Sequence, residues 1–155
     1  MSQNTRLESF KMEECIFCSI VQGGSRSFKV YENQGQIAFL DIHPLVRGHT
    51  LVVPKKHFDT LLDMDEHSIG QLFNTVKLVA MNLVPAMGAH GFRIMQNNGE
   101  SAAQVVKHVH VHILPFKMGE SSFGLRRLNL SEEEFNSIAN TIRSSFKEPQ
   151  PQTSP

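Results

Sequence analysis

Lys107-His108-Val109-His110-Val111-His112-Ile113-Leu114-Pro115 alternates histidine with branched apolar residues at a period of two, the period of a β-strand. A strand here sends His108, His110 and His112 to one face and Val109, Val111 and Ile113 to the other. The apolar set requires a core, which leaves the imidazoles along one open ridge, roughly 7 Å between alternate residues. Pro115 lacks a ladder donor and is expected to mark the strand end. Three of the chain's eight histidines fall in this stretch, so chemistry is sought here first.

Working upstream, Asn97 to Ala103 reads as a polar loop and Gly91 to Gln96 as a strand. Met64 to about Met87 is the one long helix, its apolar stripe running through Leu72, Val76, Val79, Ala80 and Leu83. Asp63 or Asp65 can cap its start, and Pro85 should kink or end it. Gly48 opens a strand from His49 to Val53, which Pro54 closes, and Asp41-Ile42-His43-Pro44 is the exit of an earlier strand. Phe28 to Tyr31 and Gln36 to Leu40 are strands separated by the turn residues Glu32-Asn33-Gln34-Gly35. Glu14 to Val21 is a short helix ended by Gly23-Gly24.

Downstream, Ser131-Glu132-Glu133-Glu134 makes a capping box for a last helix running to about Phe146. About five strands, one long helix, a short N-terminal helix and a C-terminal helix imply an α+β fold with an antiparallel sheet. A single domain is expected over 14–147, between a flexible N-terminus, 1–13, and a flexible tail, 148–155.

Composition narrows the function. Lys plus Arg and Asp plus Glu are equal at 15 each, so no strong global field recruits nucleic acid or a membrane surface. One Tyr and no Trp also argue against a base-stacking platform. No apolar run approaches the ~20 residues that span a bilayer, and Met1 to Glu13 has no secretory h-region. The expected compartment is the reducing cytoplasm. There, Cys15-x-x-Cys18 favours half a metal site or a redox dithiol over a structural disulfide, and two buried thiols are the plainer alternative.

Three aligned histidines support two chemistries. They suit a catalytic zinc with an open position, or covalent catalysis in which a neutral central imidazole attacks phosphorus and its neighbours assist. A polar strand face without chemistry is the third possibility, weakened because aligned imidazoles repel whenever charged. Nearby, Asn97-Asn98-Gly99-Glu100-Ser101 and Gln104 can present phosphate donors, and Asp41 can accept from ribose hydroxyls.

His108-Val-His110-Val-His112-Ile-Leu resembles the signature of the histidine triad (HIT) superfamily. So do Cys15-Ile-Phe-Cys18, Ala38-Phe-Leu-Asp-Ile42, Gly48-His-Thr-Leu-Val-Val-Pro-Lys-Lys-His57 and Asn98-Gly-Glu100. The resemblance spans roughly Glu14 to Pro115, in family order, and favours the nucleoside phosphoramidase, bacterial-type zinc-bearing branch. It implies a HIT-like fold that usually dimerises by extending its sheet and packing its long helices.

The implied activity is release of a purine nucleoside monophosphate (AMP) from an amine or acyl leaving group, through a nucleotidyl-histidine. His110 matches the nucleophile, His112 the partner of phosphate and leaving group, His108 the supporting first member, and His49 a histidine beside the cluster. Asp41 and Ile42 match ribose and base positions; Asn97, Gln104 and Val105 match the phosphate site. Cys15, Cys18, His57 and His108 match the ligands of a structural zinc, with no cofactor needed for the chemistry. Val105 departs from the family's Ser or Thr and has no hydroxyl to give the phosphate. The alternatives implied are a dinucleoside polyphosphate hydrolase, or a weakly catalytic dimeric nucleotide-binding module.

Overall fold

Five strands make one antiparallel sheet: β1 (Lys29–Glu32), β2 (Gln36–Leu40), β3 (Thr50–Pro54), β4 (Gly91–Met95) and β5 (Val111–Phe116), in the order β1-β2-β3-β5-β4. With helices α1 (Ile16–Val21), α2 (Glu66–Ala86) and α3 (Glu132–Ser145), the architecture is the expected α+β. The computed structural model describes residues 14–146, and the stretches 1–13 and 148–155 read above as flexible lie outside the described residues.

The histidine stretch is only half in the sheet. β5 begins at Val111, so His108 lies in a bend, its N–H donating to the Val106 carbonyl at 2.8 Å, His110 follows on the approach, and His112 alone of the three is in the ladder. The approach is tied elsewhere: the Val109 N–H donates to the Phe58 carbonyl at 2.8 Å. Pro115 does not end the strand, which runs to Phe116. The Phe116 carbonyl accepts from His90 on the β4 side, so the missing Pro115 donor faces the other way. There β3 has already ended its pairing at Thr50 opposite Ile113, and no ladder bond is lost.

The two faces of the sheet are both covered. Val109, Val111 and Ile113 are fully buried with Ala38, Leu40 and Val52 against α2 and α3. The opposite face packs Ile37, Phe39, Leu51 and Val53 under α1, with Phe17, Cys15 and Cys18. The imidazoles therefore do not form an open ridge: His108 is 0% and His110 6% exposed. Alternation told which face they share but not that α1 closes over it. The Phe17 ring stands edge-on to His110 at 5.1 Å and to His108 at 5.8 Å.

Local signals place the rest. The Cys15 Sγ accepts the Cys18 N–H at 3.4 Å as the cap of α1, and Gly23 follows the helix at φ +78°. Asp65 is the cap of α2, accepting from the Ser68 N–H, and Pro85 sits in the last turn before the helix stops. The stripe Leu72, Val76, Val79, Ala80 and Leu83 is buried. Gly48 sits at φ +86°, a conformation that favours glycine, and a Cβ there would lie 2.9 Å from Met87 Cγ and force that side chain to move. α3 starts on the expected capping box of Ser131 and Glu134 and stacks Phe135 on Phe28 at 4.8 Å. No helix among the described residues is long and apolar enough to cross a membrane.

Candidate functional site

Backbone groups settle the state of each ring, because a carbonyl only accepts and an amide N–H only donates. The His110 Nδ1–H donates to the His108 carbonyl at 2.7 Å, which leaves the Nε2 lone pair of the neutral ring free. The His108 Nε2–H donates to the Pro54 carbonyl at 2.7 Å, so its lone pair is on Nδ1. The Leu45 N–H donates to His49 Nδ1 at 3.1 Å; His49 therefore carries its hydrogen on Nε2. That hydrogen points at His112 Nδ1, 2.9 Å away, with Asp41 Oδ2 at 3.5 Å. His112 in turn carries its hydrogen on Nε2, a buried atom with no partner.

Burial keeps these rings neutral. It lowers His49 to about 4, with Asp41 opposing and the charges of Arg127 and His110 adding. His112 is lowered to about 4 by burial and then by His110 and His49, and His110 is lowered chiefly by burial. The site thus offers one free imidazole lone pair beside one unpartnered N–H donor, with the centroids of the His110 and His112 rings 4.9 Å apart.

His108 faces a second cluster. Cys15 Sγ, Cys18 Sγ, His57 Nδ1 and His108 Nδ1 all lie within 4.8 Å of one another. The His57 Nε2–H donates to Asp59 Oδ1 at 2.8 Å, which turns Nδ1 inward. His57 Nδ1 and His108 Nδ1 stand 3.1 Å apart, with Cys18 Sγ 3.3 Å from one and 3.5 Å from the other. Burial, then the neighbouring Cys15 thiol, pushes the Cys18 thiol up to about 12. Converging lone pairs and thiols in a buried spot fit a cation, and an N₂S₂ set suits tetrahedral zinc without an open position. This cluster can bind a metal.

Asp41, His49 and His112 also converge within 4.8 Å. There the inward His49 Nε2 holds a hydrogen and His112 Nδ1 receives it, so the atoms serve one another and not an ion. That arrangement favours imidazole chemistry over a catalytic zinc.

The other predicted residues are distributed unevenly. Asp41 Oδ1 accepts the His43 N–H at 2.8 Å while Oδ2 faces His49, and Ile42 is exposed beside it. Asn97 is half-buried at the head of the loop. Gln104 is buried with both amide ends engaged, by Asp59 and Gly99, and Val105 points to solvent at 86% exposure.

Sequence reasoning missed three contributors. Asp59 follows His57 by two residues in a polar turn, a spacing that suits a carboxylate supporting a ligand histidine. Leu45 acts only through its backbone, which no side-chain pattern reveals. Arg127 comes from the stretch after the triad, where no motif stood out; it donates to the His43 carbonyl while the Leu128 N–H reaches the Pro44 carbonyl at 2.7 Å.

The HIT domain family profile matches residues 22–119. Adenylylsulfatase HINT3 of Arabidopsis thaliana is 33% identical over 147 residues, covering 92% of this chain and 75% of that protein. Adenosine 5'-monophosphoramidase hnt1 of Schizosaccharomyces pombe is 36% identical over 135 residues, covering 86% of this chain and 98% of that protein. The crystal structure of a zinc-bound histidine triad family protein from Mycobacterium smegmatis matches with a TM-score of 0.78 at 29% identity, over 86% of this chain and 94% of that one.

Proposed function

The chain belongs to the HIT family of nucleotide-binding proteins, and on that premise we propose that it is a hydrolase releasing AMP from an amine or acyl leaving group through a nucleotidyl-histidine on His110. The observation that carries this is the pairing of the free His110 Nε2 lone pair with the unpartnered His112 Nε2–H.

In the first step His110 Nε2 forms a bond to phosphorus and the bond from phosphorus to the leaving nitrogen breaks, one proton being taken up through His112 to the amine. The nucleotidyl ring becomes cationic, and its Nδ1–H stays on the His108 carbonyl, which stabilises it. In the second step water oxygen bonds to phosphorus, His110 Nε2 departs with its electron pair, and two protons are released. His49 holds the His112 ring in the donating tautomer. Asp41 has a carboxylate oxygen placed for a ribose hydroxyl, and Ile42 an exposed face for a base. Cys15, Cys18, His57 and His108 would hold zinc, whose contribution is structural: it fixes the residue whose carbonyl orients His110.

Phosphorus NMR on an adenosine phosphoramidate and a diadenosine polyphosphate, with adenylyl sulfate added because one relative is named for it, tests the reading. His110→Asn should lower AMP release by at least about 10³-fold while AMP still binds. Wild type that binds AMP and turns over none of the three substrates would favour the binding module, for which solvent-facing Val105 in place of a hydroxyl residue is the specific support.

A further inference from the structure

Gln104 is 3% exposed and spans two backbone groups. Its Nε2–H donates to the Asp59 carbonyl at 2.6 Å, and its Oε1 accepts the Gly99 N–H at 2.7 Å. The Asp59 carboxylate holds His57, whose other nitrogen faces the four-ligand cluster. A continuous run of contacts therefore leads from that cluster through His57, Asp59 and Gln104 to Gly99, at the head of the 3₁₀ turn Glu100–Ala102. A parallel tie joins the Leu61 N–H to Asn98 Oδ1 at 2.8 Å.

The loop needs such a brace. Gly99 at φ +89° and Ala103 at φ +65° bound the turn with conformations that are not self-supporting. The bridging side chain must also present one donor and one acceptor on the same planar group, which Gln does and Glu, Met or Leu does not. At the far end, His57 Nδ1 and His108 Nδ1 stand 3.1 Å apart among the two thiols, and a cation held there would tie both rings and both cysteines to one point. A bound cation would thereby fix the His57 ring, and through its Nε2 the Asp59 carboxylate.

We propose that Gln104 is a positioning residue and not a phosphate ligand: it braces the Asn97–Ala103 loop to Asp59, so that a metal held by Cys15, Cys18, His57 and His108 sets the loop for the nucleotide phosphate. This rests on the nucleotide reading of the site. Coupling of this kind is reciprocal, so nucleotide and metal tighten each other by one factor.

The test measures AMP affinity of zinc-loaded and chelator-stripped protein, with hydrogen exchange followed at the Gly99 amide. Stripping should weaken AMP binding by roughly 5- to 150-fold in the wild type, with Gly99 losing protection while β3 amides keep theirs. In Gln104→Met the zinc-loaded protein should already bind AMP weakly, and stripping should change this by no more than about twofold. Unchanged AMP affinity on stripping, or an equal zinc dependence in Gln104→Met, overturns the proposal. If loaded wild type binds no AMP, the nucleotide reading fails. Gly99 exchange then decides the brace by itself, as it does if Gln104→Met fails to fold: lost protection upholds it and retained protection refutes it.

Discussion

Ala103 is the one non-glycine among the described residues with positive φ, at +65°, where its Cβ crowds the carbonyl. A left-handed residue costs about 1–2 kcal/mol, whereas replacing it by glycine returns about 0.4–1 kcal/mol of freedom to the unfolded chain. Ala103→Gly should therefore raise stability by up to about 1.5 kcal/mol, read as a higher urea midpoint at unchanged slope; a lower midpoint would show that the loop is unstrained. The sequence marked 103–105 as unusual through its chemistry, the hydroxyl missing at Val105, and the strain one residue earlier needed the backbone to be seen. The three triad histidines were legible from their alternation and the two cysteines from their spacing, while His57 came only through the family resemblance. Asp59 and Leu45 were not, because a carboxylate in a turn and a backbone N–H carry no signature until something packs against them. Gln104 was legible as a polar residue near the triad, but its direction, inward to Asp59 and Gly99, was not.

The elements followed from local signals wherever periodicity and caps agreed: the stripe of α2, the capping box of α3, and the paired runs of β2 and β3. The triad stretch shows the limit. Its alternation sorted the two faces correctly, yet β5 starts only at Val111, since strand extent depends on what β3 and β4 offer as partners. Burial between α1 and the sheet has a consequence for pH. His49, after the β2 exit loop, and His112, in β5, are held near 4 by burial, against an ordinary value near 6.5. The unfolded chain therefore binds more protons than the folded one between these values, and stability falls as pH falls from 6.5 towards 4. At pH 5 each ring costs the fold about 2 kcal/mol relative to neutral pH. Urea midpoints at pH 7.5 and 5 should show this loss, and His49→Gln should reduce it by about the share of one ring. Glu32, held down to about 2 by Lys29 and Lys55, loses its contribution only below the ordinary carboxylate range, outside this window. Equal pH dependence in wild type and His49→Gln would mean that His49 is charged in the fold.

At the scale of the molecule, the sheet has two edges of opposite character. The β1 edge is laced with charge: Lys29 pairs with Glu32 at 2.6 Å, Lys55 with Glu32 at 2.8 Å, and Arg143 covers the Lys29 carbonyl. Such edges resist pairing. The β4 edge is apolar and borders the exposed side of α2, so that Phe92 and Ile94 share a groove with Phe73 and Met81. Arg93, in mid-strand, is drawn aside to the Ser122 carbonyl at 2.9 Å and the Phe116 ring at 5.4 Å. Antiparallel pairing of β4 with the β4 of a second copy continues the sheet and closes both grooves at one two-fold interface, which satisfies ladder and apolar surface together. We therefore propose the homodimer that the sequence resemblance implied, with this face as its contact. Sedimentation equilibrium should find dimers at micromolar concentration. Met81→Glu combined with Phe92→Glu should raise the dissociation constant roughly a hundredfold or more, because carboxylates without partners would be desolvated on both copies. Monomeric wild type would remove the proposal, and a double variant that still dimerises with native affinity would move the contact to another face. The triad rings lie on the sheet face beneath α1, opposite the face that packs on α2. AMP affinity of the monomeric variant should then match that of wild type if each site is complete within its own chain, and a loss of affinity without loss of fold would show that the second copy contributes to the site.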